Sequence, residues 1–306
     1  MFSNPLSAAF GPHALRWLFA LLALVLAAAT LEGLVQTFVR RQPYDWRAYA
    51  ASVADAVGRR AVDALGISLA APVLAWAYAH RVGSIALTTP EAAALLFLGQ
   101  EFFYYGYHRA AHRVHWFWAT HCVHHSPNAL TLVSALRLGW TGKLTGTALF
   151  FAPLIWLGFP PAAVLATVAA NLLYQFWLHA TWIPRLGALE WVFNTPSHHR
   201  VHHASNPEYL DCNYGGVLIV FDRLFGTCVE ERDDLVIRYG LTEPLLSHNP
   251  LRIALHGWLG LGRALRRAPS WRGRWQALFG PPGGVSHQTP SLAAAASRVT
   301  GCGADA

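Results

Sequence analysis

Three short stretches of this sequence carry histidines at spacings that suit metal binding. The first is an H-x-x-x-H pair, and the pattern H-x-x-H-H then occurs twice. These motifs place histidines at His108, His112, His121, His124, His125, His199, His202 and His203. Residues three and four positions apart lie on the same side of an α-helix, and imidazole is a good ligand for zinc, copper, iron and nickel. The spacing therefore predicts helices that present histidines to metal ions.

The number of these histidines predicts two metal ions. A structural zinc ion takes about four protein ligands, and a catalytic one takes about three and a water molecule. Eight imidazoles exceed what one ion can use, and a further one is available close by. His179, in the segment FWLHATW, and His198, beside the third motif, are the alternatives for the ninth ligand, whereas His115 fits no ligand spacing.

The composition places these motifs in a membrane protein. Apolar residues make up 54% of the 306 residues and charged residues only 13%, against about 25% charged in an ordinary soluble protein. The net charge is +7, but the arginines lie between apolar runs and form no basic stripe, so a nucleic-acid partner is not expected. The four cysteines have no short paired spacing, which excludes a disulfide scaffold and a thiolate metal site.

The apolar runs predict an all-α integral membrane protein with about three to five inserted helices, each span needing about 20 residues. The runs are Leu15–Val39, Ala61–His80, Ile85–Tyr107 and Leu144–Leu178, and the last is split at Gly158 to Pro161 into a hairpin of two short helices. A secretory signal peptide is the alternative for the first run, which is longer than such a peptide needs. The segment Gly216–Phe225 has the β-branched and aromatic composition of a strand.

The distribution of arginine predicts the orientation. The connector between Arg40 and Arg60 is the most basic short loop, so we expect it on the cytosolic side. If each of the first three runs crosses the membrane once and the hairpin returns to the side from which it enters, all the histidine motifs lie in a cytosolic helical cap. The predicted domains are a membrane anchor and basic connector (1–84), a catalytic domain (85–230), a cytosolic helical extension (231–280) and a disordered tail (281–306).

Two carboxylates are candidate catalytic residues. Glu101 precedes His108 by seven residues, two turns along one helix face, and a carboxylate within an apolar run is costly. It is predicted to orient a histidine or to handle protons, or alternatively to pair with Gln100 or a neighbouring helix. Asp211 is predicted to orient a histidine, unless it forms a local turn with Asn213. Asp222 and Arg223 are interpreted as a turn or a surface pair.

These residues resemble the fatty acid hydroxylase and sterol desaturase superfamily. The stretches EFFYYGYHRAAH, FWATHCVHHSPNALTLVSALR and NTPSHHRVHHASNPEYLDCNYGG carry the resemblance, which covers about Ile85–Val229 and looks most like the alkylglycerol monooxygenase branch and its bacterial relatives. It implies an integral-membrane non-haem enzyme with two Fe ions held by the eight motif histidines and His179. Such an enzyme uses O2 and two electrons to hydroxylate or desaturate a lipid.

The branch further implies tetrahydrobiopterin as reductant and a glyceryl ether as substrate. It tends to have an acid directly after the second histidine of its first motif, where this sequence has Arg113. Sterols and fatty acyl chains therefore stay open as substrates. The sequence carries no haem, dinucleotide or ferredoxin motif, so electrons must come from an external donor, either a redox protein or a diffusible reductant.

The expected setting is a bacterial inner membrane, with a membrane lipid as substrate and the site on the cytosolic face. Two rival functions are a membrane-bound zinc hydrolase in the same histidine cage, which would need neither iron nor oxygen, and a metal transporter or sensor. Transport would spread ionisable residues through several spans, whereas here the histidines collect on one side.

Overall fold

The computed structural model describes residues 14–283, and the predicted tail from residue 284 onward lies outside the described residues. Within the described part the chain is all-helical and contains no strand beyond two isolated antiparallel bridges, Phe193 with Leu218 and Ala204 with Tyr239. The predicted all-α class is confirmed. The helices are α1 (Ala14–Leu34), α2 (Trp46–Asp63), α3 (Ala71–Ala79), α4 (Pro90–Arg113), α5 (His115–His125), α6 (Gly142–Thr145), α7 (Ala152–Leu157), α8 (Pro161–Leu178), α9 (Pro196–His202), α10 (Val220–Leu224), α11 (Pro250–Arg267) and α12 (Trp271–Phe279).

Among residues 14–283, two helical segments are long and apolar enough to cross a bilayer, judged by length and composition. They are Arg16–Val39, in which α1 continues into a π-helical end at Val35–Val39, and Pro161–Leu178, which is α8. This supports a membrane protein, while the predicted number of spans stays a prediction.

The run Ala61–His80 is not one helix. Helix α2 ends at Asp63, and α3 has only nine residues, about 13 Å at 1.5 Å per residue, which is too short to cross a bilayer. The break is held by Lys143, which donates from Nζ to the carbonyl of Asp63 and accepts at its own carbonyl from the Leu69 amide. These contacts join the segment to a distant part of the chain, and the hydrophobicity of the run alone does not reveal them.

The hairpin predicted in Leu144–Leu178 is present as α7 and α8. Gly158 lies between them with φ of 121°, and a Cβ atom there would come 2.5 Å from the carbonyl oxygen of Gly83, so only glycine fits. The two helices pack on α4 through buried Leu96, Tyr104 and Ile155. This core fixes the helix that carries the first histidine motif.

The segment Gly216–Phe225 is not a strand. Its residues Val217 and Leu218 donate their amides to the carboxylate of Glu101, and Val220–Leu224 turns into α10. Because these amides bond to a side chain, they are not available for a sheet ladder.

Helices α4 and α5 are joined by a single extended residue, Val114, with φ of −121° and ψ of 116°. The short joint folds α5 back against α4. Helix α11 covers α5 from the other side at Gly257, where a Cβ atom would lie 2.4 Å from the carbonyl oxygen of Ala119. The helix with the second histidine motif is thus fixed between two neighbours.

Candidate metal centre

The structure brings all nine predicted histidines together, in two adjacent groups. In each group the ligating ring nitrogens lie within 4.8 Å of one another. The first group is His108, His112, His121, His125 and His202, and the second is His124, His179, His199 and His203. The groups touch, since the rings of His125 and His203 stack with centroids 4.4 Å apart. The arrangement suits two metal ions held side by side.

Each H-x-x-H-H motif contributes to both groups. On α5 the outer residues His121 and His125 enter the first group, and the middle residue His124 enters the second. The motif of α9 has the opposite arrangement. Its middle residue, His202, enters the first group, and its outer residues, His199 and His203, enter the second. Each motif therefore places its middle histidine in the group that holds the outer pair of the other motif. The positions of α5 and α9 thus affect both groups.

Backbone carbonyls orient four of the rings. The Nδ1 atoms of His108 and His202 lie 2.8 Å and 2.9 Å from the carbonyl oxygens of Tyr214 and Cys212. Those of His124 and His179 lie 3.1 Å and 2.9 Å from the carbonyl oxygens of Arg137 and Gln175. A carbonyl only accepts, so Nδ1 carries the proton and Nε2 keeps its lone pair for a metal.

The ring nitrogens that face the centre fit metal ions. The Nε2 atoms of His112, His202 and His203 are buried and have no hydrogen-bond partner, and Nε2 of His108 lies only 3.0 Å from Nε2 of His121. Burial lowers the pKa of His124 and that of His202 to about 4, so both rings are neutral at pH 7. Neutral imidazole is the form that binds metal, and unpartnered buried nitrogens otherwise cost free energy.

A loop of unusual backbone presents two of those carbonyls. Asp211 and Asn213 have φ of 61° and 54°, conformations that asparagine and aspartate tolerate better than other residues. The Asn213 side chain donates to the carbonyls of His198 and Val229 and accepts from the Val229 amide, at 3.1, 2.7 and 2.8 Å. The two residues of positive φ, Asp211 and Asn213, alternate with Cys212 and Tyr214, whose carbonyls face the histidines.

Asp222 holds the far end of this loop. Its carboxylate accepts from the amides of Tyr214 and Gly215 at 2.8 and 2.7 Å and from the Thr227 hydroxyl at 2.6 Å. The residue is fully buried, and burial raises the pKa of its carboxyl to about 6 against the lowering effect of these bonds. The interpretation as a surface pair with Arg223 is wrong, and the guanidinium of Arg223 instead lies 4.5 Å from the centroid of the Trp191 ring.

Arg137 supports the second group in the same indirect way. Its side chain donates to the hydroxyls of Ser52 and Ser126, both at 3.2 Å. Its backbone carbonyl accepts the hydrogen bond from His124 Nδ1. Next to it, the Leu138 amide donates to Asp55 of α2 at 3.1 Å. Arg137 was not singled out from the sequence, and Asn213 was named only as part of a turn, because both act through backbone groups that no motif reveals.

Glu101 makes no contact with a histidine. Its Oε2 atom accepts from the amides of Val217 and Leu218, both at 2.8 Å, and its Oε1 atom accepts from Asn171 Nδ2 at 2.5 Å. These bonds join α4 to α8 and to the segment before α10. Of the alternatives for Glu101, the contacts favour the bond to a neighbouring helix.

Asp211 lies beside the first group. Its Oδ1 atom is 3.9 Å from His112 Nδ1, and its Oδ2 atom accepts from Arg113 at 2.8 Å. It thus combines the two predicted alternatives, since it occupies a turn and also faces a histidine. Arg113, the departure from the resembled branch, is the partner of this carboxylate.

His198 and His115 lie outside both groups. His198 is buried, and its Nδ1 atom lies 3.4 Å from the Thr195 hydroxyl. His115 reaches the carbonyl of Ala277 at 3.1 Å and so contacts α12. Of the two alternatives for the ninth ligand, the structure brings His179 and not His198 to the centre.

A cavity of 160 Å³ reaches the first group from one side. His112, His125 and His202 form its inner wall, and Trp118, Asp211 and Thr242 lie around it, with Pro281 to Gly283 at its rim. The cavity gives small molecules a route to this group that does not pass through the apolar helices.

Comparison with known proteins agrees with this geometry. Residues 93–227, which hold every histidine of the two groups, match the family described as Fatty acid hydroxylase. These residues therefore form a domain of that superfamily, and the resemblance seen in the sequence is confirmed.

Curated relatives carry related names. The chain is 37% identical over 221 residues to an alkylglycerol monooxygenase from Homo sapiens, covering 70% of this chain and 49% of the relative. The alkylglycerol monooxygenase from Xenopus tropicalis is 37% identical over 71% of this chain and 48% of its own length. An ornithine lipid hydroxylase, OlsE of Rhizobium tropici, is 34% identical over 42% of this chain and 38% of its own length. The chain thus spans about half the length of the alkylglycerol monooxygenases from frog and human, and no solved structure matches it significantly.

Proposed function

We propose that this protein is a membrane-bound, oxygen-dependent lipid monooxygenase with a di-iron centre. It would use O2 and two external electrons to hydroxylate, or alternatively to desaturate, a C–H position of a lipid. The observation that carries this proposal is the pair of buried histidine groups within the fatty acid hydroxylase domain. The names of the relatives, alkylglycerol monooxygenase and ornithine lipid hydroxylase, support a lipid substrate.

The two groups would each hold one ion. The five histidines of the first group and the four of the second offer only neutral imidazole nitrogens, which iron accepts. When bound, iron would supply the redox chemistry that an unactivated C–H bond requires and that redox-silent zinc lacks.

The protein's own residues would position and protect the centre. The carbonyls of Cys212, Tyr214, Arg137 and Gln175 fix four ring orientations, and Asp211 faces His112 from the cavity side. Asp211, which accepts from Arg113, lies 3.9 Å from His112 Nδ1, and a proton on that nitrogen would leave Nε2 directed at the ion. Burial of the ligands excludes bulk water.

The proposed location is the inner membrane of a bacterium, and two further features support a site at the cytosolic surface of the membrane. Residues 250–279, which form α11 and α12, contain six arginines and no aspartate or glutamate. Trp271 and Trp275 are exposed on α12, at 78% and 60%. Basic helices with exposed tryptophan are typical of the interface with anionic lipid, so this extension would rest on the cytosolic leaflet.

The electron donor would be a separate molecule that approaches the cavity of the first histidine group. The cavity beside His112, His125 and His202 is large enough for water or O2, and a redox protein or a reductant such as tetrahydrobiopterin would deliver electrons near it. A glyceryl ether is the substrate that the relatives' name favours, with sterol and fatty acyl lipids as the other members of the class.

The test is metal analysis combined with oxygen consumption on protein purified from membranes. We expect two iron ions per chain and oxygen uptake that depends on an added lipid, with an alkylglycerol, an ornithine lipid and a free fatty acid compared. His202→Ala should abolish oxygen uptake while the protein still inserts, and His80→Ala, at an exposed histidine outside both groups, should retain it. Full lipid turnover with zinc and without oxygen would instead establish the hydrolase.

A further inference from the structure

An apolar groove lies between α1 and the end of α8, apart from the cavity described above. Its volume is 460 Å³. One wall comes from α1 and its π-helical end, which precede the matched domain, and the other comes from the domain itself. The groove is lined by Ala28, Leu31, Glu32, Val35, Gln36 and Arg40 on one side and by Leu132, Phe176, Trp177, Ala180, Trp182 and Ile183 on the other.

The groove has one buried polar group, and that group is already satisfied. Glu32 is only 7% exposed, and its two carboxylate oxygens accept from the Leu132 amide at 2.7 Å and from the Trp182 indole at 3.0 Å. Glu32 therefore connects the two walls and demands no polar ligand atom. Apart from Gln36 and from Arg40 at one end, the remaining side chains that line the groove are apolar or aromatic, which favours an alkyl chain.

One end of the groove is cationic. Arg40 is exposed at the end of the π-helical segment, eight residues beyond Glu32, or roughly 12 Å at helical rise. Arg41 follows it directly in the sequence. A phosphate or carboxylate headgroup at this end would meet a positive charge at the level where a membrane helix leaves the apolar layer.

The floor of the groove adjoins the second histidine group. Ala180, which is 1% exposed, directly follows His179 in the sequence. Phe176 precedes His179 by about one helical turn. Leu132 begins the 3-10 turn Leu132–Leu136 that leads into Arg137, whose carbonyl receives His124. Residues that line the groove are therefore neighbours in the chain of His179 and of Arg137, which belong to or orient the second group.

We propose that this groove binds the alkyl chain of the lipid substrate, with an anionic headgroup at Arg40. The inference rests on the proposed function and adds to it the place and the headgroup charge of the substrate. Ordinary boundary lipid would cover the exposed side of α1 without preference, whereas this groove has a second wall in the matched domain, which Glu32 joins to α1 by hydrogen bonds.

Photo-crosslinking tests the groove without requiring turnover. The full chain is placed in phosphatidylcholine nanodiscs with a phosphatidylglycerol that carries a diazirine in its acyl chain, and labelled residues are located by mass spectrometry. We expect labelling at Leu31, Val35 and Phe176 that an excess of unlabelled phosphatidylglycerol reduces about tenfold. Labelling at Leu26, exposed on another side of α1, should fall only in proportion to probe dilution.

Variants separate the alternatives. Leu31→Trp and Val35→Trp would fill the groove and reduce its labelling about tenfold, while Leu26→Trp on the same helix leaves it unchanged. Arg40→Gln should reduce labelling by the phosphatidylglycerol probe and leave labelling by a phosphatidylcholine diazirine probe unaltered. Equal competition at Leu26 and Leu31 would show boundary lipid only and overturn the proposal.

Turnover then distinguishes the groove from the proposed function. If the wild type oxidises lipid and Leu31→Trp does so with unchanged KM despite losing its label, the groove is not the substrate site. If competed labelling is found but the wild type oxidises no lipid in the presence of iron and a reductant, the groove binds lipid and the proposed monooxygenase function fails.

Discussion

The Nδ1 atom of His108 lies 2.8 Å from the carbonyl oxygen of Tyr214, although the two residues are 106 positions apart. This bond joins the first histidine motif to the loop that follows the third motif. The same loop receives His202 two residues earlier, at Cys212. The geometry of the first histidine group therefore depends on residues that would not touch the metal themselves.

Asp222 is the first residue to test, as a positioning residue. Asp222→Asn replaces one of the two carboxylate oxygens by an NH2 group that cannot accept, so either the Tyr214 amide or the Gly215 amide loses its acceptor. We expect a metal affinity lower by about ten- to a hundredfold, the usual effect of losing an outer hydrogen-bond partner. Competition with a chelator measures it.

The matched control for Asp222 is Asp234→Asn, which removes only an exposed pair with Arg232. A purely structural role predicts a lower Tm with the metal affinity intact. That outcome for Asp222→Asn would contradict the positioning role.

Variants of His179 and His198 distinguish the two alternatives for the ninth ligand. His179→Ala removes one of four nitrogens from the second group, so we expect iron to fall from two ions per chain toward one. His198→Ala lies outside both groups and should retain two. Metal analysis of both variants decides the assignment, and equal iron loss in the two would reject it.

Glu101 is expected to matter for stability more than for metal binding. Glu101→Gln can still accept from the amides of Val217 and Leu218, but its NH2 group would face Asn171 Nδ2, donor against donor. The cost is about 1 to 3 kcal/mol for an unsatisfied buried group, seen as a lower Tm with two ions retained.

Glu91→Gln, at an exposed position in the first turn of α4, serves as control for Glu101. Loss of iron in Glu101→Gln at an unchanged Tm would restore the role in orienting histidines that the sequence suggested.

Asp55 predicts a pH dependence of stability. Burial raises the pKa of Asp55 to about 6, despite the bonds from Leu138 and Trp140, from about 3.9 in an unfolded chain. A raised pKa contributes stability that is present below about pH 4 and is lost as the pH rises through about 6, on the order of 2 kcal/mol.

The measurement for Asp55 is the Tm in detergent between pH 4.5 and 7.5, at values set about one unit apart to span this pKa. Wild-type Tm should fall more steeply than that of Asp55→Asn. Asp222 titrates in the same direction but is present in both proteins, so the difference between the two curves isolates Asp55. Parallel curves would contradict the expectation.

Helical periodicity was sufficient to predict which histidines come together but not how they divide into two groups. The i, i+4 spacing of His121 and His125 puts both rings on one side of α5, as expected. That His124 joins His203 instead depends on how α9 packs against α5, which is long-range information. The partner of Glu101 was unpredictable for the same reason, since Val217 and Leu218 follow it by more than a hundred positions.

Local composition misled in two places. Val217 to Val220 has strand composition, but the amides of Val217 and Leu218 bond to Glu101. Among the described residues, this stretch forms only the isolated bridge between Leu218 and Phe193. The run Ala61–His80 is largely apolar, with Asp63 as its one acidic residue, yet Lys143 bonds to Asp63 and Leu69 at the break between α2 and α3. In both cases a tertiary hydrogen bond overrides a local preference.

The most direct test of the central claim is the origin of the oxygen atom in the product. Membranes containing the protein are supplied with iron, a reductant and a lipid under 18O2, and the lipid is analysed by mass spectrometry. A hydroxylated lipid carrying one 18O atom, absent in His202→Ala and present in His80→Ala, is the predicted result. A product whose new oxygen comes from water, formed equally well without O2, would contradict a monooxygenase at this centre.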